Sequence, residues 1–142
     1  MLKIAVFVAL ISFSACYSTL MAHDLAHMSN IAYESLATIN AWNCSGCSTY
    51  PVKNQKGFFS SAANIQGYAA YFPKENAILV AFRGSVDIKN WIYNIDTASV
   101  AYPPCSGCSV HSGFYSAYKG VSPLVRTEVD RLLGLYKTAK LI

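Results

Sequence analysis

Cysteine supplies the most conspicuous chemistry in the chain. Cys44-Ser45-Gly46-Cys47 and Cys105-Ser106-Gly107-Cys108 are identical tetrapeptides, and the remaining cysteine of the five, Cys16, stands alone near the N-terminus. Two C-x-x-C pairs can hold a zinc ion through four thiolates, run redox chemistry, or close two local disulfides. The pairs lie much further apart than the spacing of about 12 to 20 residues found in zinc ribbons and fingers. Neither pair stands at the start of a helix after a strand, the setting of a thioredoxin-like redox pair. In an oxidising compartment, local disulfides are the default. Loops this short gain roughly 2 kcal/mol each from closure, so they pin turns rather than hold a domain together.

A second group of reactive residues follows the apolar run Ala77-Ile-Leu-Val-Ala-Phe82, which meets Arg83-Gly84-Ser85 at its end. Ser85 offers a backbone N–H and a hydroxyl, and Gly84 allows another group to approach the backbone without a side chain in the way. On residue physics alone, this is an ordinary strand-to-loop turn whose serine satisfies a backbone group. From Asp87 to Asp96, Ile88, Trp91, Ile92 and Ile95 recur at helical spacing among polar residues. Such a piece is either a surface helix packing its apolar side inward or a movable cover over an apolar site. His111 precedes Ser112, and a triad of Ser112, His111 and Asp96 can be written. Adjacent Ser and His side chains rarely aim at each other, however. His23 and His27 sit a helical turn apart, a spacing that can bind a metal, but no third ligand is in view. Surface or packed histidines fit that pattern better.

The elements that position these residues begin with a segment that carries them out of the cell. Residues 1–18 read as a secretory signal peptide: Lys3, an apolar run from Ile4 to Ile11, then small residues. That run is too short to span a bilayer, which needs about 20 residues. Cleavage after Ala15, Cys16 or Ser18 fits equally. A buried N-terminal element and a bacterial lipoprotein, with Phe13-Ser-Ala-Cys16 as the acylation signal, are the alternatives. Residues 19–142 are long enough for one modest domain. The chain is 54% hydrophobic and only 13% charged, so disorder is excluded as its class. The formal charge of +4 is scattered rather than clustered, so no nucleic-acid footprint is expected.

Periodicity predicts a helix over Thr19–Ala41, with Leu25, Met28, Ile31, Ala32, Ser35, Leu36 and Ile39 on one face. The first CSGC turn follows, then a polar stretch to Gly57. Ile65–Phe72 and Ile78–Phe82 read as an antiparallel hairpin across the turn formers Pro73-Lys-Glu-Asn76. The first of these strands alternates as an outer strand does. The second is apolar at every position, as a strand covered on both faces should be. A further helix is expected over Val121–Tyr136, opened by Ser122-Pro123, and Lys140-Leu141-Ile142 looks like the start of a strand. The whole is an α/β layered pattern.

These motifs, in this order, resemble the fungal-type class 3 lipases. The similarity rests on FRGS at 82–85 after a buried strand, Asn90-Trp91, Val110-His-Ser-Gly-Phe114, and Ala117-Tyr118. It is strengthened by the second CSGC directly before VHSGF and by an N-terminal helix that leads to a short Cys-Cys turn. The resemblance covers essentially all of residues 19–142, which correspond to the N-terminal half of the family's domain. It implies a partial α/β-hydrolase fold: N-terminal helix, antiparallel hairpin, central strand, lid segment and helix, with the sheet incomplete. It implies hydrolysis of carboxylic esters of lipids, acylglycerols among them, through a serine acyl-enzyme with no metal or organic cofactor. Its partners would be a lipid ester or a lipid–water interface, with no transmembrane span. Ser85 becomes the oxyanion-hole residue, and Ile88, Trp91, Ile92 and Ile95 become the apolar side of the lid. The family's catalytic His lies later in the chain than His111, which becomes a structural histidine. The family's nucleophile sits in G-x-S-x-G, a pentapeptide that does not occur here; its expected place is a few residues beyond Ile142. The catalytic Ser, Asp and His and the second oxyanion donor are therefore not among these residues, and the polypeptide is expected to be inactive alone. The rival class is a non-catalytic secreted module, derived from a lipase, that binds lipid or a partner. A zinc-binding interaction domain on the four paired cysteines is the third reading.

Overall fold

The computed structural model describes residues 18–84 and 98–142. Helix α1 (Thr19–Ile31) starts at Ser18, an extended residue whose hydroxyl accepts from the Met21 N–H at 3.2 Å. The single helix predicted to Ala41 is in fact two. A turn over 32–35 separates α1 from α2 (Leu36–Ala41). Two local causes are visible. The Ser35 hydroxyl accepts from the Thr38 N–H at 3.1 Å and so restarts the helix as an N-cap. The buried Gln66 amide donates to the carbonyls of Ala32 and Glu34, at 2.9 and 2.8 Å, taking acceptors that a continuous helix would have used. The predicted apolar face survives the break, since Met28, Ile31, Ala32 and Ile39 are all buried.

Trp42 ends α2 in the left-handed conformation, at φ 51°. Its indole N–H donates to the carbonyls of Cys47 and Tyr50, at 3.0 and 3.1 Å, and holds the following turn closed. Strand β1 (Lys53–Ser60) occupies what reads as a polar stretch, and the sequence reasoning missed it. Its first half, Lys-Asn-Gln-Lys, offers no apolar alternation. Between Lys53 and Lys56 the pairing with its neighbour shifts register, and Asn54 adopts a positive φ of 53°. The irregularity is clamped from the far side of the sequence. Arg131 donates to the Asn54 carbonyl at 2.8 Å, and the Asn54 amide donates to the Tyr136 hydroxyl at 2.7 Å.

Strands β2 (Ile65–Phe72) and β3 (Ala77–Phe82) pair antiparallel across a 3₁₀ turn at Pro73–Glu75, as the hairpin reading requires. One part of that reading fails. β2 is not an outer strand; it lies between β1 and β3 in a sheet of order β1-β2-β3-β6. Its alternation of Tyr with Ala distributes residues between two covered faces rather than between core and water. Tyr68, Ala70 and Phe72 join Leu79, Ala81 and the α1 and α2 residues in one core cluster. Ala69 and Ile78 meet Leu132 in another, on the opposite face. Gly67 is required by this packing. A Cβ there would lie 2.4 Å from the Ala81 carbonyl and 2.8 Å from the Phe58 ring.

Strands β4 (Ser99–Ala101) and β5 (Ser109–His111) form a separate antiparallel ribbon. Helix α3 (Ser112–Leu135) starts nine residues ahead of its predicted start. His111, not Ser122-Pro123, sets that start, and Pro123 lies inside the helix. One proline costs one backbone bond locally and does not remove the others. β6 (Lys140–Leu141) forms where a new strand was expected and runs parallel to β3, and the Ile142 N–H donates to the Ile78 carbonyl at 2.8 Å. The result is an α/β structure with a partial mixed sheet, α1 and α2 on one face and α3 on the other.

Candidate active site

In an open α/β sheet, ligand chemistry gathers at the carboxyl ends of the parallel strands. The carboxyl ends of β3 and β6 point to the same edge here, and the β3 end carries Phe82-Arg83-Gly84. The backbone at this edge is tied down on two sides. The Arg83 N–H donates to the Gln66 carbonyl at 2.8 Å. The Gly84 N–H donates to the Tyr33 hydroxyl at 3.0 Å. Gly84 does allow a close approach, and the approaching group is that hydroxyl. A Cβ on Gly84 would lie 2.5 Å from the Tyr33 oxygen. Tyr33 is 51% exposed and comes from the turn between α1 and α2. The sequence reasoning missed it because the turn itself was read through as helix. The signal that could have found it is Ser35, an N-cap residue type spaced three before Thr38.

Ser85, Ile88, Trp91, Ile92 and Ile95 lie outside the described residues, as does Asp96, the third member of the triad that can be written with Ser112 and His111. What the structure gives is the platform they leave from and return to. The return is the β4–β5 ribbon, where the Ser112 N–H donates to the Ala98 carbonyl at 2.9 Å. His111 closes the ribbon and opens α3. Its Nδ1 accepts from the N–H groups of Gly113 and Phe114, at 3.1 and 3.4 Å. An accepting Nδ1 places the neutral ring's proton on Nε2. That atom is buried and has no hydrogen-bond partner among the described residues. With Nδ1 spent on the cap and Nε2 without a partner, His111 makes no hydrogen bond to Ser112 among the described residues.

The cysteines are paired locally: Cys44 with Cys47, Cα atoms 5.1 Å apart, and Cys105 with Cys108, 5.4 Å apart. The first bridge is packed into the core with Cys47 buried, and the second lies on the surface of the β4–β5 loop. Bonded sulfurs are not zinc thiolates, which removes the zinc reading of the four cysteines. Among the described residues no group of three or more His, Cys, Asp and Glu could hold a metal. No described helix is long and apolar enough to cross a membrane.

The comparisons with known proteins agree with this geometry. The family model described as lipase (class 3) matches residues 79–142, from β3 through α3 to β6. A lipase of Rhizomucor miehei is 36% identical over 92 residues, covering 63% of this chain and 25% of that protein. A secreted mono- and diacylglycerol lipase of Fusarium solani is 32% identical over 79 residues, covering 54% of this chain and 24% of its own length. A solved structure of the Rhizomucor miehei lipase propeptide complex superposes with a TM-score of 0.69 at 28% identity, over 88% of this chain and 41% of that one. The chain thus spans about a quarter of the length of the curated relatives it matches. Over residues 79–142 it matches the class 3 lipase family, and its fold is similar to that of fungal lipases, which are α/β-hydrolases, over part of their domain.

Proposed function

We propose that this chain carries the oxyanion-side portion of a secreted, lipase-like serine hydrolase acting on carboxylic esters of lipids. The observation that carries the reading is the anchored end of β3. Gly84 is held by Tyr33 at the carboxyl edge of a sheet in which β6 runs parallel alongside, and the next residue is Ser85. Attack on an ester carbonyl develops negative charge on the carbonyl oxygen, and fixed donors there lower the barrier. Ser85 offers its backbone N–H and hydroxyl for that oxygen. The nucleophile and the second donor belong to an elbow of the type G-x-S-x-G, and β6 has the position and direction of the strand that feeds one. Ile88, Trp91, Ile92 and Ile95 form the apolar side of a lid that closes over the site and turns to the lipid–water boundary when open.

Residues 1 to 15 or 16 serve as the secretory signal in this reading. Ser18 caps α1, so cleavage ahead of it keeps the helix start intact. The relatives described as secreted mono- and diacylglycerol lipases support both an exported protein and an acylglycerol class of substrate.

The polypeptide of residues 1–142 should not turn over a short-chain nitrophenyl ester above a heat-treated control. Clear turnover abolished by Ser85→Ala would overturn the assignment, because it would make Ser85 the nucleophile rather than a donor.

A further inference from the structure

His23 and His27 stand on the first turns of α1, far from the Gly84 edge. The salt bridge from neighbouring Asp24 to Lys74 ties this part of α1 to the turn that precedes β3, at the opposite end of that strand. Their Nε2 atoms are 3.2 Å apart, with ring centroids at 4.5 Å. The i, i+4 spacing puts both rings on one face of the helix. His27 is held in place by stacking on Tyr50, at 5.2 Å between centroids and 21° between planes. Both rings are exposed, so a solute reaches them without any rearrangement.

We propose that His23 and His27 form a two-imidazole chelate for a borderline divalent cation of the zinc and copper type. The bite of the pair is the argument. Imidazole nitrogens bind such ions at about 2.0–2.1 Å, so two ligands at right-angle to tetrahedral geometry stand about 2.9–3.4 Å apart. The observed 3.2 Å falls inside that window. Without metal, one ring donates its Nε2 proton to the other. On binding, the donor ring's proton shifts from Nε2 to Nδ1 by exchange with water, so that both neutral rings present an Nε2 lone pair to the cation. The remaining coordination positions are open to water or to a small anionic donor. A pocket of about 350 Å³ adjoins His23, lined also by Asp24, Thr49, Tyr50 and Lys74, and gives such a donor room. With two protein ligands the site is exchangeable rather than structural, and copper should bind more tightly than zinc.

The chain's third histidine, His111, has Nδ1 engaged at the α3 cap and Nε2 buried, so the chelate can be isolated by substitution. The test is calorimetric titration of the oxidised, iodoacetamide-treated protein with Zn²⁺ and with Cu²⁺. His23→Ala, His27→Ala and the double variant are measured alongside, with helicity checked by circular dichroism. The proposal predicts one saturable site per chain, tighter for Cu²⁺. Each single substitution should abolish it, and Zn²⁺ should raise the thermal midpoint of the parent but not of the double variant. Unchanged stoichiometry and affinity in the double variant would overturn it. So would the absence of saturable Zn²⁺ and Cu²⁺ binding in a parent of native helicity. Because the pair is remote from the Gly84 edge, either result leaves the oxyanion assignment untouched.

Discussion

At the scale of single residues, two tyrosines carry more of the structure than composition suggests. Tyr68 is fully buried, and its hydroxyl donates to the Met28 carbonyl at 2.9 Å, joining β2 to α1. Burial pushes its phenol well above the ordinary tyrosine range. A raised folded value contributes stability below the unfolded pKa of about 10 and loses it as pH climbs through the folded value. In an alkaline titration of phenolate absorbance, Tyr68 should therefore ionise above the exposed tyrosines and in step with unfolding. Tyr68→Phe should remove that late step and cost about 1 kcal/mol in denaturant melts, through the unpaired Met28 carbonyl. Tyr33 works at the Gly84 edge. Gly84→Ala must displace the Tyr33 hydroxyl or the strand end, whereas Tyr33→Phe only deletes one hydrogen bond. Gly84→Ala should be the more destabilising of the two in the same melts. The importance of Gly84 was legible in the sequence; the group pressing on it was not. Tyr33 is 51 positions away along the chain, and no local pattern links such residues.

At the scale of elements, periodicity located what was strongly patterned and failed where a remote contact decides. The β2–β3 hairpin and the β6 strand were readable, because turn formers and apolar runs bound them. β1 was not, because its first half is polar and its pairing is held by Arg131 and Tyr136 from α3. The break between α1 and α2 depends on Gln66, which sequence spacing does not tie to Ala32 or Glu34. Helix α3 provides a sharp test of which face packs. Leu132 is fully buried against Ala69 and Ile78, while its neighbour Leu133 is 40% exposed. Leu132→Ala should cost about 2–5 kcal/mol, and Leu133→Ala well under half of that, by equilibrium unfolding. The two disulfides divide in the same way. Their loop lengths are equal, so closure contributes roughly 2 kcal/mol to each. Cys47, however, packs into the core beneath Trp42, and Cys105 and Cys108 do not. Replacing Cys44 and Cys47 by serine should lower the thermal midpoint more than replacing Cys105 and Cys108.

At the scale of the whole molecule, an α/β sheet with helices on both faces presents, at the carboxyl ends of β3 and β6, the edge on which the proposed function is built. The family's chemistry needs two things at that edge: donors for the oxyanion and a nucleophile between them. The ordered motifs FRGS, Asn-Trp and VHSGF were legible in the sequence, and the proposal puts the donor side on the first of them. The direction of β6 relative to β3 was not, because parallel pairing depends on register between distant segments. It is that parallel pairing which gives the proposal its geometry. In a polypeptide that includes an elbow, Ser85→Ala should lower kcat for a soluble ester by about 10²- to 10³-fold with little change in fold. The measurement that bears most directly on the central claim is the reading frame of the transcript beyond codon 142. The account predicts that the frame continues from the β6 strand into a Gly-x-Ser-x-Gly elbow within a few residues. A stop codon directly after Ile142, in a transcript whose product is secreted as a stable protein, would contradict it.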